Sequence, residues 1–464
     1  MTGKASAQPR GMRAFTIVWA GQLVSLIGTA MTQFALPIYI FGETGRVREL
    51  ALLALAFTLP LILMSPVAGA IVDRSNRKLM MIISDLASGL MTIIVLILFQ
   101  AGVLEIWHLF ITAAISGAFQ AFQWPAFSAA ISVMLPKEQY GRAQGMLSLA
   151  ESGSGILAPL FAGAMLAVVG LQLILVIDIV TFLFAIGALL VVHIPAPPRT
   201  EEGKEGEGSL LRESLYGFQY IWRRPSLFAL QLIFFMGNFF AMLFFVTLPA
   251  MILARTDGNE FAFGTIQAAG AIGAVIGALL MSAWGGPKRL IHGVLTGWLL
   301  SGLLGITLMG LGQAIPVWIA ASMMGLFFVP IINGSNQAIW QAKVAPDVQG
   351  RVFSIRRLIA AGTTPLAALI AIPISDNLLG PAMMEGGALA ETFDRLVGVG
   401  PGAGISLMYV FSGLAIAAIA LSGYAVPFIR NVEDILPDHE AVGGDVGEDS
   451  EQEEPQATAE GISP

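Results

Sequence analysis

Residues 49–100 read ELALLALAFTLPLILMSPVAGAIVDRSNRKLMMIISDLASGLMTIIVLILFQ. Two apolar runs, 50–72 and 79–101, flank a short turn that carries Asp73, Arg74, Arg77 and Lys78. A membrane-spanning helix needs about 20 mostly apolar residues, each rising about 1.5 Å through about 30 Å of hydrocarbon. Both runs are long enough. Lipid offers no water to stray backbone groups, so both must be helical. The charged turn between them then lies at a membrane surface.

The same pattern extends in both directions. Runs of comparable length and low charge occupy 14–40, 106–131, 143–168, 171–193, 227–253, 261–284, 290–312, 315–341, 352–378 and 402–429, which makes twelve in all. The short alternating strands of a membrane barrel are absent. The first run follows Lys4, Arg10 and Arg13 in the manner of a signal peptide, but it is too long for one and reads as the first span.

Composition agrees. Of 464 residues, 56% are hydrophobic and 12% are charged. An ordinary soluble domain carries about 25% charged residues. A soluble enzyme is therefore excluded, as is disorder for the bulk of the chain. The absence of Cys removes disulfides, thiolate zinc sites and a cysteine nucleophile. His108, His193, His292 and His439 are scattered and suggest no metal site or catalytic group, so the chain is not read as an enzyme.

Orientation follows from Lys and Arg. With twelve spans, the side holding both termini collects 20 of them and the other side only Arg46, Arg48, Arg255 and Arg395. Both termini are expected in the cytoplasm, with the protein in the cell inner (cytoplasmic) membrane.

The stretch 194–225 divides the chain into an N-terminal half, 1–193, and a C-terminal half, 226–430. It opens with Pro195, Pro197 and Pro198 and ends in LLRESLYGFQYIW, 210–222. There Leu211, Leu215, Phe218 and Trp222 recur at helical spacing, which predicts an amphipathic helix at the membrane interface. The halves are weak repeats: Pro136 and Gly141-Arg142 before span five match Pro346 and Gly350-Arg351 before span eleven. Internal duplication of membrane helices marks secondary transporters, with the substrate site between the repeats. The segment 431–464 holds 11 acidic residues and no Lys or Arg, so a disordered cytoplasmic tail is expected.

No phosphate-binding loop is present, so no cofactor is expected and an ion gradient must supply the energy. Ionisable groups inside the membrane are costly and therefore functional candidates. Asp178 in span six and Glu151 in span five are assigned to proton coupling. Asp85, nearer the basic turn, is assigned a structural role.

Polar stripes suggest where a substrate sits. Gln22, Ser25, Thr29 and Gln33 share a face of span one; Thr112, Ser116, Gln120 and Gln123, beside Trp124, share a face of span four. Asn333, Asn336, Gln337, Trp340 and Gln341 form a third stripe in span ten, and Asn238 is the strongly polar residue of span seven. Amides mixed with Phe, Met and Trp, and no Lys or Arg at mid-depth, suit an amphipathic substrate. Stripes of this kind also bond helix to helix in lipid. Gly270, Gly273 and Gly277 in span eight, and Gly155, Pro159 and Gly163 in span five, predict close helix contacts.

The turn after span two, Gly69-Ala-Ile-Val-Asp73-Arg74-Ser-Asn-Arg77-Lys78, is similar to the G-x-x-x-D-R-x-x-R-[RK] signature of the major facilitator superfamily, which the twelve-span, two-half layout also resembles. The resemblance implies an all-α integral membrane fold of two pseudo-symmetric six-helix halves. It implies that Asp73 latches onto the start of span eleven, where Arg351, Arg356 and Arg357 lie, with Gly69, Arg74, Arg77 and Lys78 in the same gating motif. No matching acid exists in the second half, where Trp284 and Pro287 stand, so the latch is expected on one side only.

Within the superfamily the chain resembles the macrolide-efflux and enterobactin-exporter group. The carriers are Trp19, Gly21 and Gln22, the Asp73-Arg74 turn, and the run from Pro136 through Gly141-Arg142 to Ala158-Pro159. Span five also approximates an antiporter motif with Ser154, Ala158, Pro159, Ala162 and Gly163, although the span-four Arg of many drug–proton antiporters is missing. The resemblance implies a monomeric exporter of amphipathic small molecules, working by proton antiport and alternating access, with the lipid bilayer and no nucleic acid as partners. A dedicated exporter or flippase of one metabolite, siderophore or lysolipid is the second reading, and a non-transporting membrane receptor the third.

Overall fold

The computed structural model describes residues 11–44, 47–196 and 210–439. Long helices dominate, and no strand occurs among the described residues. In chain order the spans are Gly11–Thr44, Val47–Arg74, Arg77–Gln100, Ile106–Met134, Lys137–Leu166, Val168–Val191, Pro225–Arg255, Phe261–Trp284, Leu290–Leu311, Ile315–Lys343, Pro346–Ala371 and Ala403–Ala425. Among the described residues, eleven of these are long and apolar enough to cross a membrane. The fourth, Ile106–Met134, is long enough at 29 residues and carries no charge, but His108, Gln120 and Gln123 lower its apolarity. Its polar stripe is the reason, and it packs inside the same bundle.

Local sequence sets the ends. Asn76 starts span three by accepting the Leu79 N–H at 3.2 Å, and Asn259 starts span eight by accepting the Ala262 N–H at 2.9 Å. Gly285 closes span eight with a φ of 84°, a conformation that glycine adopts without strain. The chain kinks at Gly170, near the start of span six, where φ is 76°.

The apolar cores are built mostly within each half, and Ala338 and Ala342 of span ten join the first-half core. One core joins Phe15, Met81, Ile131, Tyr140 and Leu189 of the first half; another joins Leu227, Trp298, Trp340, Phe353 and Tyr409 of the second. Small residues let helices within a half touch. Gly117 lies against the Phe57 carbonyl of span two, and Gly273 and Gly277 against the Met323 and Phe327 carbonyls of span ten. Any side chain at these three positions would collide with backbone. The expectation for span five is corrected: Gly155 has no atom within 4 Å of where a Cβ would sit, and Gly163 only Phe34 at 4.0 Å. Four-residue spacing gives a face, but not a neighbour for it.

The linker helix Leu210–Trp222 forms as read. Glu213, Tyr216 and Tyr220 are buried against the bundle, while Leu215, Phe218 and Trp222 are exposed. The Leu211 side chain lies outside the described residues. The expected disorder from 431 is corrected over 431–439. Glu433 accepts the N–H groups of Leu290 and Ile291, Asp434 pairs with Arg289, and Asp438 pairs with Lys137 at 2.9 Å and Lys343 at 2.8 Å. Acidic residues here cap a helix start and neutralise basic helix ends, which fixes the segment. The remainder of the tail, 440–464, lies outside the described residues.

Candidate functional site: a gate at the basic end and a cavity in each half

The two halves meet at the end of the bundle that carries the termini and most basic residues. Asp73 is the centre of that contact. Its carboxylate is buried and accepts the Gly350 N–H at 2.7 Å and the Arg351 N–H at 2.9 Å; the Arg351 Nε lies 3.5 Å away. Span eleven begins here, so its first N–H groups lack partners within the helix and present partial positive charge. Asp73 therefore binds both the helix end and its arginine. The approach needs two glycines: a Cβ on Gly69 would strike the Gly350 carbonyl, and one on Gly350 would strike the Asp73 carboxylate and the Gly69 carbonyl.

The remaining motif residues divide the work. Arg77 is buried and donates to the Ala129 carbonyl at 2.7 Å in its own half and to the Pro346 carbonyl of the other. Lys78 donates to the carbonyls of Leu190 and Val192, tying span three to the end of span six. Arg74 binds Glu213 of the linker helix at 2.8 and 2.6 Å. Arg356 is placed differently from expectation. It lies ten residues into span eleven, donates to Gln337 at 2.7 Å and stacks 4.2 Å from the Trp340 ring, with no bond to Asp73.

At the matching contact of the second half, glycines make the close approach. Gly141 and Gly145 of span five press onto Gly285 and Ser282 at the end of span eight. Around these contacts lie further bonds between the halves: Ser132 to Gln349 at 2.6 Å, Gln341 to the Ser128 carbonyl at 3.0 Å, and Gln144 to Gln341 at 3.3 Å.

This closure accounts for part of the third polar stripe. Asn336, Gln337 and Trp340 are buried at 2%, 6% and 0% exposure. Trp340 donates to Asn336 at 3.2 Å and Gln337 accepts from Arg356. The expectation that they line a substrate cavity is corrected here: Trp340 and Asn336 bond to each other within span ten, and Gln337 ties span ten to span eleven. Asn333, one turn nearer the other end, does line a cavity with Asn238, in a space of about 220 Å³ walled by Phe244, Phe245, Met242 and Trp298.

Another cavity, about 350 Å³, lies inside the first half among spans one, two, three, four and six. Gln33, Gln120, Asp178 and Asp85 line it, and no Lys, Arg or His is among the described residues of its wall. Both described cavities thus sit within a half, at positions related by the internal repeat, rather than in the groove between halves. Asp178 is 4% exposed and accepts hydroxyl bonds from Thr29, Thr32 and Thr92, each at 3.0 Å. Hydroxyls donate to a carboxylate and, on rotating, accept from a carboxylic acid. This cage satisfies both protonation states.

Asp85 is the residue that the sequence reading undervalued. Gln22 donates to it at 2.8 Å and Gln123 at 3.0 Å, and Gln123 also donates to Gln22 at 3.0 Å. Two residues assigned to substrate therefore orient an acid instead. Proximity to a basic turn along the chain concealed this, because seven residues of helix carry Asp85 about 10 Å inward. Glu151 is exposed rather than buried and interacts electrostatically with Arg357 of span eleven, so it faces the groove between the halves. Arg357 lies 5.6 Å from the Trp124 ring, and Trp124 meets Phe353 edge-on at 6.2 Å between ring centroids. Two arginines deep in span eleven correct the expectation of no mid-depth cation.

Two six-span halves joined at one end through the Asp73 turn, with a cavity inside each half, have the layout of a membrane transporter. The sequence profile of the Major Facilitator Superfamily matches residues 18–368, and the chain belongs to that family. It is similar to macrolide efflux protein A of Streptococcus pyogenes, at 29% identity over 371 residues, covering 78% of this chain and 90% of that one. It is also similar to the multidrug efflux pump Tap of Mycolicibacterium fortuitum, at 25% identity over 360 residues, covering 75% and 86%. Among solved structures, the fold matches the E. coli fucose:proton symporter FucP (N162A) with a TM-score of 0.66 and 13% identity, over 88% of this chain and 98% of that one. A bacterial homologue of the iron transporter ferroportin in the outward-facing state matches with a TM-score of 0.61 and 18% identity, over 89% and 100%.

Proposed function

We propose that this transporter exports amphipathic small molecules across the inner membrane by proton antiport, with both termini in the cytoplasm. The observation that carries the reading is one pairing: a gate bonded shut at the basic end, and a first-half cavity with two carboxylates and no basic side chain among the described residues of its wall. In this state the substrate has left to the outside. A proton from outside neutralises Asp178, and the threonine cage turns to accept from the acid. A neutral acid crosses the closed intermediate at less cost than a charge, because burying an unpaired ion in low dielectric is expensive. The gate then opens to the cytoplasm, the proton leaves and substrate enters. Glu151, facing Arg357 across the groove, is the second coupling group. The relatives named for macrolide and multidrug efflux support export, and the Phe, Met and Trp walls of the second-half cavity suit an apolar ligand surface.

The test is transport in proteoliposomes under an imposed pH gradient, with a panel of macrolides and other amphipathic drugs. Gradient-driven uptake into inverted vesicles is expected, and its loss in the Asp178→Asn, Glu151→Gln double variant. Transport of one metabolite and no drug would favour a dedicated exporter. Equal transport by wild type and double variant would remove these acids from coupling.

A further inference from the structure

We propose that Glu213, on the linker between the halves, is a gate residue: it holds Arg74 of one half and Arg351 of the other and so favours the state closed at the basic end. Its carboxylate is 1% exposed, with Arg74 at 2.6 Å and Arg351 at 3.5 Å. The helix that carries it is pressed onto span eleven. A Cβ on Gly217 would meet the Arg351 carbonyl at 2.6 Å and the Ile355 side chain at 2.7 Å, and the Arg351 guanidinium lies 5.8 Å from the Tyr216 ring. The linker helix thus occupies the seam and touches both bodies.

The chemistry makes the contact state-dependent. Asp73 and Glu213 share Arg351, and Glu213 also takes Arg74, the residue after Asp73. Two acids and two arginines alternate across the seam: Arg74, Glu213, Arg351, Asp73. When spans two and eleven separate, a linker helix cannot follow both. Glu213 then loses its contact with one of the two halves, and weakening the pairing of a buried acid is disfavoured. The closed state alone brings all four charges together. The motif in the turn after span two therefore reaches beyond span eleven, into a segment outside the bundle.

The experiment reads gate distance directly, without substrate or gradient, so its outcome is independent of the proposed export. The native chain has no Cys, so Glu138→Cys and Lys288→Cys, at exposed positions on the basic ends of the two halves, take spin labels selectively. Pulsed dipolar spectroscopy on the full chain in lipid nanodiscs then reports the gate. Glu213→Gln is expected to raise the long-distance fraction at least threefold over the parent. The swap Arg74→Glu with Glu213→Arg is expected to return part of it, since it restores one pair. Should Glu213→Gln fail to fold, Arg74→Gln cuts the same pair at its exposed end and is read instead. A distance distribution identical to the parent in the variant that folds would overturn the proposal, as would equal opening by Glu213→Gln and the swap.

Discussion

Asp73 joins the halves through main chain: it accepts the Gly350 N–H at 2.7 Å, and the nearest atom to any Cβ on Gly350 would be that same carboxylate oxygen. Acid and glycine are therefore one device. The acid needs bare backbone to reach, and the glycine supplies it. Asp73→Asn retains the shape but offers one oxygen where two N–H groups point. Charge-assisted hydrogen bonds and a helix end are together worth roughly 2–3 kcal/mol. The variant is expected to shift the gate equilibrium toward opening by roughly 30- to 150-fold at that energy. Spin-label distances across the basic end measure it.

Gly350→Ala is expected to do similar damage by another route. Its methyl would displace the carboxylate, and overpacking costs about 1–3 kcal/mol. Transport is expected to fall about tenfold or more, and Asp73→Asn added to it should cost little further, because the contact is already lost. Gly155→Ala, where nothing stands within 4 Å, is the control and should transport as the parent does.

The threonine cage predicts a graded series. Removing one hydroxyl, in Thr29→Val, Thr32→Val or Thr92→Val, leaves Asp178 two donors. Each is expected to cost about 1–3 kcal/mol of the carboxylate's stabilisation and to slow gradient-driven transport by about tenfold. Asp178→Asn should abolish it. Substrate affinity under zero gradient, measured by equilibrium binding, should change less than the driven rate.

The C-terminal strap predicts an acid-sensitive contribution to stability. Partial burial alone would raise the Asp438 carboxyl, but the ammonium groups of Lys343 and Lys137 outweigh it and hold the group below the usual carboxylate range. A depressed folded value means that the stabilisation is complete above the unfolded value, about 3.9, and is lost as pH falls through the folded one. The melting temperature of Asp438→Asn should lie below that of the parent by a constant margin above about pH 5; the margin should begin to shrink at about pH 4 and vanish only below the depressed folded value. The margin should be small, since Asp438 is 32% exposed.

Much of this molecule follows from local sequence. Twelve apolar runs, the bias of Lys and Arg and the repeat of Gly141-Arg142 in Gly350-Arg351 are properties of short windows, and lipid leaves helices as the only solution for them. The partner of Asp73 was also legible, because a motif acid and a helix start are recognisable apart. The ends of longer bonds were not. Gln22 and Gln123 meet at Asp85 from three different helices, and Glu213 meets Arg74 across 139 residues of chain. Helical spacing reads Gln22 and Gln123 as cavity amides and gives Glu213 no partner.

Helical spacing supplied the faces of the bundle, while tertiary packing chose what each face meets. Asn333 and Asn336 lie nearly one turn apart in one stripe, yet the first lines a cavity and the second is sealed in the core. Periodicity fixes angle about a helix axis. Depth along that axis, and the approach of the other half at one end only, decided which amides stay wet and which become contacts. Sequence by itself determined the solvent, the helices and the gate acid of this protein. Only the assembled structure decided that two of its membrane acids, Asp85 and Asp178, share one cavity, because that requires five helices to converge.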